Sequence, residues 1–310
     1  MDMTQDPGIA MSTNARHSIV ALRAHVPDTA FTASTLGTLR EGSGAVINDE
    51  GLVVTIGYLI TEAEEVWLTT HDERVVPAHV VAYDQETGFG LVQAMGDLDL
   101  PPLRLGSSTA AKVRDIGRII DGEGHEVINE IVAKQEFAGY WEYMLEEALF
   151  TAPFHPSWGG AALIDSAGDL IGLGSLRLQM LQSGDSVDIN MVVPIDLLKP
   201  IIDDLVTRGR ARREARPWLG VFSAERSNGV VVMNVSDGGP AEQAGLKSGD
   251  IISELDGEEV EGLGDFYRKL WAKAPAGSEF SLRIVRSGRE SWLRVKTADR
   301  NDFLTKPQLQ

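Results

Sequence analysis

Apolar positions in the first two-thirds of the chain come in short runs separated by turn residues. Ala45-Val46-Ile47 and Leu52-Val53-Val54 flank Asn48-Asp49-Glu50-Gly51. Val66-Trp67-Leu68 and Val75-Val76 flank Asp72-Glu73, and Ala162-Leu163-Ile164 and Leu170-Ile171-Gly172 flank the stretch Asp165 to Asp169. Apolar runs joined by Asn, Asp and Gly are the mark of β-hairpins, because those residues adopt the turn conformations that strands need. Ser18 to Val26 alternates weakly and adds a further strand. Many short strands at close spacing predict a β-barrel or sandwich. One helix closes the region: after Pro194, the residues Leu197, Leu198, Ile201, Ile202 and Leu205 recur on a single helical face. The aromatic-rich stretch Tyr140 to Leu149 is read as a short helix.

A second pattern follows. Gly229 to Val235 is a β-branched run, and Pro240 to Leu246 starts with Pro and carries Gly245 near its end, as a short helix does. Ile251-Ile252 to Leu255 leads into an Asp256-Gly257 turn. Phe266 and Leu270 sit at helical spacing in Asp265 to Trp271. Phe280, Leu282 and Ile284 alternate up to Ser287-Gly288, and Leu293 and Val295 alternate back. This is a compact β-rich module with two helices.

Between the two patterns lies Arg208, Arg210, Arg212, Arg213 and Arg216, ending at Pro217. A charge run of this kind is mostly a solvated hinge, with docking to an acidic surface as the functional alternative. The 310 residues exceed one small core. We divide them into a tail (1–14), a first domain (15–206), a basic linker (207–216), a second domain (217–300) and a C-terminal tail (301–310).

Charge is uneven. The formal net charge is −18. Residues 206–310 hold 17 Lys/Arg and 15 Asp/Glu, so the acidity lies in the first domain. Such a surface repels phosphate, which argues against nucleic acid and anionic membranes as partners. There are no cysteines, which excludes a disulfide scaffold, a thiolate metal site and a thiol nucleophile. No apolar run approaches the ~20 residues of a membrane-spanning helix. The start, Met1 to Pro7, has no basic region and no apolar core. That reading points to the cytoplasm, or to the periplasm if a leader has been removed.

Gly42-Ser43-Gly44-Ala45-Val46-Ile47, the hairpin to Val54-Thr55, Asp84-Gln85-Glu86-Thr87, Pro101 to Gly106, Gly159-Gly160, and Met191-Val192-Val193-Pro194-Ile195-Asp196, in that order, resemble the HtrA/Deg serine proteases. Trp218-Leu219-Gly220-Val221 then opens a stretch similar to that family's PDZ domain, which continues through Gly239-Pro240-Ala241 to Gly249-Asp250-Ile251-Ile252. The resemblance covers about Ser18 to Arg300. It implies a mainly β fold, a trypsin-like double β-barrel followed by an α+β PDZ domain. It also implies a homotrimer.

Family members use a His, an Asp and a Ser together: the Ser attacks, the His takes its proton, and the Asp orients the imidazole. At the matching positions this chain has Tyr58, Gly88 and Gly159. A phenol is a poor base at neutral pH, and glycine has no side chain. The resemblance therefore implies a chain that is no enzyme: a polypeptide-binding or scaffold protein with no catalytic residues and no cofactor. Two alternatives stay open, a serine endopeptidase working with other residues and a metal-binding protein. For the first, Ser157 and His155 are a pair at i and i+2, which point apart in an extended chain. For the second, His71 and His79 lie near Asp72 and Glu73, short of the three or four ligands a metal needs. Asp84 reads as a turn residue.

The PDZ-like region keeps its recognition features. By resemblance, the backbone amides of Leu219, Gly220 and Val221 receive a peptide C-terminus. The strand after them adds an extended peptide, and Phe266 and Leu270 line the opposite wall. The partners implied are polypeptides and protein C-termini.

Overall fold

A computed structural model describes residues 15–182, 184–226 and 229–305. The tail 1–14 and the last part of the C-terminal tail, 306–310, lie outside the described residues. The chain divides into two compact units. One comprises 1–135, 147–212 and 305–310, and the other 136–146 and 213–304. Residues 136–146, placed in the first domain by sequence, group with the second unit.

The first unit holds two closed six-stranded barrels, except for the parts of two strands that fall within 136–146. Strands β1 (Ile19–His25), β2 (Leu39–Val46), β3 (Leu52–Ile56), β4 (Glu65–Thr69), β5 (Val75–Tyr83) and β6 (Phe89–Ala94) close in the order β1-β2-β3-β6-β5-β4. Strands β7 (Ile116–Ile120), β8 (Glu126–Gly139), β9 (Tyr143–Ala152), β10 (Ala162–Ile164), β11 (Leu170–Gln182) and β12 (Asp185–Pro194) close in the order β10-β11-β12-β9-β8-β7. Closure leaves no edge strand and puts alternate side chains inside. Val20, Leu22, Val53, Leu68 and Val92 fill the first barrel, and Ile119, Leu149, Leu163 and Val192 the second.

The predicted hairpins are present, and their turn chemistry explains them. Asn48 Oδ1 accepts from the amides of Glu50 (3.0 Å) and Leu52 (2.8 Å), and Gly51 takes φ +79°. Asp165 Oδ1 does the same for Ala167 (2.8 Å) and Asp169 (3.0 Å). Such Asx turns satisfy backbone donors that the strands leave over.

Two expectations are corrected. Tyr140 to Leu149 is not a helix: β8 ends at Gly139, residues 140–142 turn, and β9 begins at Tyr143. Aromatic and β-branched side chains favour strands, and Glu142 sits at φ +57°, which no helix accommodates. The predicted helix over Leu197 to Leu205 is interrupted. A 3₁₀ turn covers Ile195–Leu197, and the regular helix runs only over Ile202–Arg208. Pro200 disfavours the helical conformation of Lys199 before it. A short helix, α1 (Ala33–Leu36), precedes β2, and Ile202–Arg208 is α2.

The second unit carries a six-stranded sheet built from β13 (Val221–Arg226), β14 (Gly229–Val235), β15 (Ile251–Leu255), β16 (Glu258–Glu259), β17 (Glu279–Arg286) and β18 (Arg289–Lys296). The order is β13-β14-β15-β17-β18, with β16 paired to β15. Helices α3 (Pro240–Gln243) and α4 (Leu263–Lys273) accompany it. Leu219, Val221, Phe266, Tyr267, Leu270, Leu282 and Ile284 pack in one core cluster, which Met144 joins. The fold is mainly β, as expected.

Candidate functional site

The first candidate is a cleft of about 1020 Å³ in the first unit, lined among others by Tyr58, Trp67, His71, Ser157, Trp158 and Gly159. Tyr58 follows β3 in a 3₁₀ turn over Gly57–Leu59. Arg40 holds that turn from beneath: its guanidinium donates to the carbonyls of Tyr58 (2.8 Å) and Thr61 (2.9 Å). The Tyr58 hydroxyl donates to the Ser175 carbonyl at 2.9 Å. Burial pushes its phenol well above the usual range, with the Trp158 side chain pulling the other way. At neutral pH Tyr58 is therefore a neutral hydrogen-bond donor.

Position 159 faces Tyr58, since a Cβ built on Gly159 would lie 3.0 Å from the tyrosine Oη. The backbone there is fixed to β2: the Ser43 amide donates to the Gly159 carbonyl at 2.8 Å. A Cβ at Gly160 (φ +76°) would come within 2.0 Å of the Ser43 carbonyl oxygen, so only glycine fits. Gly88 takes φ +82°; its amide donates to Asp84 O and its carbonyl accepts from Gly57 at 2.7 Å. Its backbone thus braces the turn that carries Tyr58. The Asp84 carboxylate accepts from the Thr87 amide (2.9 Å) and hydroxyl (2.7 Å), consistent with a turn residue. The structure therefore brings positions 58 and 159 together and links 88 to them through backbone.

The Ser157–His155 pair is not assembled. His155 is buried, its Nδ1 accepts from the Ser157 amide at 3.1 Å, and its Nε2 faces the His125 carbonyl at 3.3 Å. Both ring nitrogens meet backbone groups, so the imidazole is not aimed at the Ser157 hydroxyl. His71 and His79 are exposed, and the His71 ring lies tilted against that of His17 with centroids 4.3 Å apart. The one converging group of potential ligands among the described residues is Asp121, Glu123 and His125. Asp121 Oδ1 there accepts from the amides of Glu123 (3.0 Å) and His125 (2.8 Å), the pattern of an Asx turn.

The second candidate lies wholly in the second unit. The amides of Leu219, Gly220 and Val221 converge on a carboxylate. That carboxylate is the side chain of Glu142: Oε2 accepts from Leu219 at 2.9 Å, and Oε1 from Gly220 at 2.6 Å and Val221 at 2.9 Å. Gly220 adopts φ +79°, which lets consecutive amides face one point. Burial pushes the Glu142 carboxyl up to about 7, although the three amides and the charge of Arg300 pull it down. Phe266 and Leu270 are fully buried, in the apolar cluster that Met144 joins. Sequence reasoning found the three amides and missed Glu142, which lies 77 to 79 positions away in the chain. No local pattern reports a contact at that separation.

Residues 42–173 match the trypsin-like peptidase domain, and residues 217–297 match the PDZ domain. A probable periplasmic serine endoprotease, DegP-like, from Halomonas elongata is 26% identical over 273 residues, covering 83% of this chain and 56% of the relative. The serine protease Do-like HtrA of Bacillus subtilis is 25% identical, covering 95% of this chain and 72% of that one. The chain spans about half the length of most of the curated relatives it matches. In fold it is similar to the HtrA-type protease AlgW solved with a decapeptide: TM-score 0.57, 22% identity, 98% of this chain and 100% of the other. These names correct two expectations. Relatives called serine endoproteases overturn the reading of this chain as no enzyme and point to an enzyme. Relatives called periplasmic leave the cytoplasmic placement without support. Among the described residues no helix is long and apolar enough to cross a membrane. Two closed barrels, a PDZ sheet with its amide loop, and this set of relatives agree: the chain belongs to the HtrA/Deg family.

Proposed function

We propose that this HtrA-family chain binds polypeptides, its PDZ domain taking C-terminal or extended segments at the Leu219-Gly220-Val221 loop. The observation that carries the reading is the convergence of three successive amides on one carboxylate. Amides arranged this way capture a peptide α-carboxylate, and the edge strand β13 offers main-chain partners to the residues before it. Leu219 and Val221 set the loop, and Phe266 and Leu270 form the apolar wall beneath it. The test is fluorescence anisotropy with the full chain and a C-terminal peptide library, each peptide made as free acid and as amide. Binding confined to free acids supports the reading; equal binding of free acids and amides removes it.

A second reading, peptide-bond hydrolysis in the barrel cleft, is favoured by the relatives' names. It would run on groups other than side chains at 88 and 159, and Ser157 is the hydroxyl in the cleft nearest position 159 in sequence. Casein cleavage blocked by a serine-directed inhibitor and lost in Ser157→Ala would support it. The same names favour a periplasmic setting, which cell fractionation tests. The trimer implied by resemblance is tested by light scattering.

A further inference from the structure

We propose that Glu142 is an internal ligand of the PDZ loop, so that a free peptide C-terminus binds only by displacing residues 140–142. The inference rests on the reading of that loop as a carboxylate site.

The turn copies a bound peptide in two respects. Its carboxylate occupies all three loop amides. Two residues earlier, the Tyr140 carbonyl accepts from the Ser223 amide on edge strand β13 at 2.7 Å. A carboxylate at the loop and a carbonyl two residues back on the neighbouring strand is the register of strand addition. The Tyr267 hydroxyl on α4 completes the seat, donating to the Gly139 carbonyl (2.8 Å) and accepting from the Glu142 amide (3.0 Å). Met144 puts its apolar side chain into the cluster that contains Leu219, Val221, Phe266 and Leu270. Glu136 pairs with Arg268, also on α4.

The seat is not simply an optimal turn. A three-residue hairpin loop with a left-handed last residue favours Gly or Asn there, and the chain places Glu at φ +57°. Strained backbone persists where surrounding contacts over-determine it, and here those contacts are the loop amides. The tether gives Glu142 a high effective concentration, which a free peptide must overcome. The ligand class follows from the seat: an extended segment with a free α-carboxylate and an apolar last side chain.

The experiment uses full-length wild type and Glu142→Gly. Glycine accepts the left-handed turn and deletes the carboxylate, so the hairpin is retained. The probe is fluorescein-labelled Gly-Gly-Tyr-Trp-Met with a free carboxylate, and its C-terminal amide is the control. Amide hydrogen exchange at residues 219–221 is read on the same proteins. We expect Glu142→Gly to bind the free acid at least ~10-fold more tightly than wild type, and its loop amides to exchange at least ~10-fold faster. Equal affinity for the free acid in both proteins overturns the internal ligand and leaves the peptide-binding reading intact. If neither protein binds the probe, the peptide-binding reading loses support. Exchange then decides the internal ligand: faster exchange in the variant upholds it, and equal protection overturns it.

Discussion

A Cβ placed on Gly159 would lie 3.0 Å from the hydroxyl oxygen of Tyr58, and that hydroxyl donates to the Ser175 carbonyl. The two positions are coupled through one atom. Removing the hydroxyl in Tyr58→Phe leaves a carbonyl without its partner and should cost about 1 kcal/mol. Gly159→Ala should be destabilising in wild type and less so with Phe at 58, where the crowding oxygen is gone. Urea denaturation of the four proteins of this cycle should give a coupling of about 0.5 kcal/mol or more. Strict additivity would mean the two positions do not meet.

Glu62 ties three separate stretches of the first unit together. Its carboxylate accepts from the amides of Phe31 (3.0 Å), Thr32 (2.7 Å) and Thr305 (2.8 Å) and from the Thr32 hydroxyl (2.6 Å). Burial alone would push the carboxyl up, but these donors outweigh it and hold it below the usual range. A depressed carboxyl contributes stability above its unfolded value near ~4.3, and that contribution is lost as pH falls through the folded value. Glu62→Gln should therefore flatten the acid limb of the stability profile. Glu62→Ala should cost about 2 kcal/mol at pH 7. An unchanged acid limb in Glu62→Gln would count against this clamp.

Asp250, in the Gly249-Asp250-Ile251-Ile252 motif, is buried and takes two oxygens to Arg286, each at 2.6 Å, while its Oδ2 accepts from the Lys247 amide at 2.8 Å. Arg286 also donates to the Gly245 carbonyl at 2.8 Å. Asp250→Ala removes the carboxylate from a part-exposed guanidinium and leaves the Lys247 amide without its partner. We expect a loss of about 2 kcal/mol in the PDZ unit, read by thermal unfolding of the full chain. A loss within ~0.5 kcal/mol, as at an ordinary surface position, would contradict that role.

The pH dependence of the PDZ loop has the opposite sign to that of Glu62. The carboxyl of Glu142 is pushed up by burial to about 7. A raised carboxyl favours the docked turn most below the exposed value near ~4.3, and the preference is lost as pH rises through about 7. Of the groups facing it, burial keeps the Tyr267 phenol far above its usual range, and the charge of Arg300 pulls the Glu142 carboxyl down. The α-carboxylate of a free peptide is ionised throughout. Peptide affinity should therefore rise between pH 5 and pH 8 in wild type and stay nearly flat in Glu142→Gly. A profile that falls over this range in wild type would contradict the sign.

Local chemistry made much of the fold legible. Asn48 and Asp165 cap their turns in the way such residues do in any hairpin, and Gly229–Val235 is a strand over the full predicted range. The misreadings have physical causes. Pro200 breaks a helical face that apolar spacing alone joins. Tyr140 to Leu149 carries no turn-forming Gly or Asn, because the turn is held by contacts that Glu142 makes far away in sequence. Phe266 and Leu270 have helical spacing whether they line a groove or a core, so spacing alone does not separate the two.

The most direct test of the account is an amide correlation spectrum of the full chain titrated with Gly-Gly-Tyr-Trp-Met. The account predicts saturable shifts at Leu219, Gly220 and Val221 with the free acid and none with the amide. Matching shifts with both peptides, or shifts that leave these three amides unmoved, would contradict carboxylate recognition at this loop.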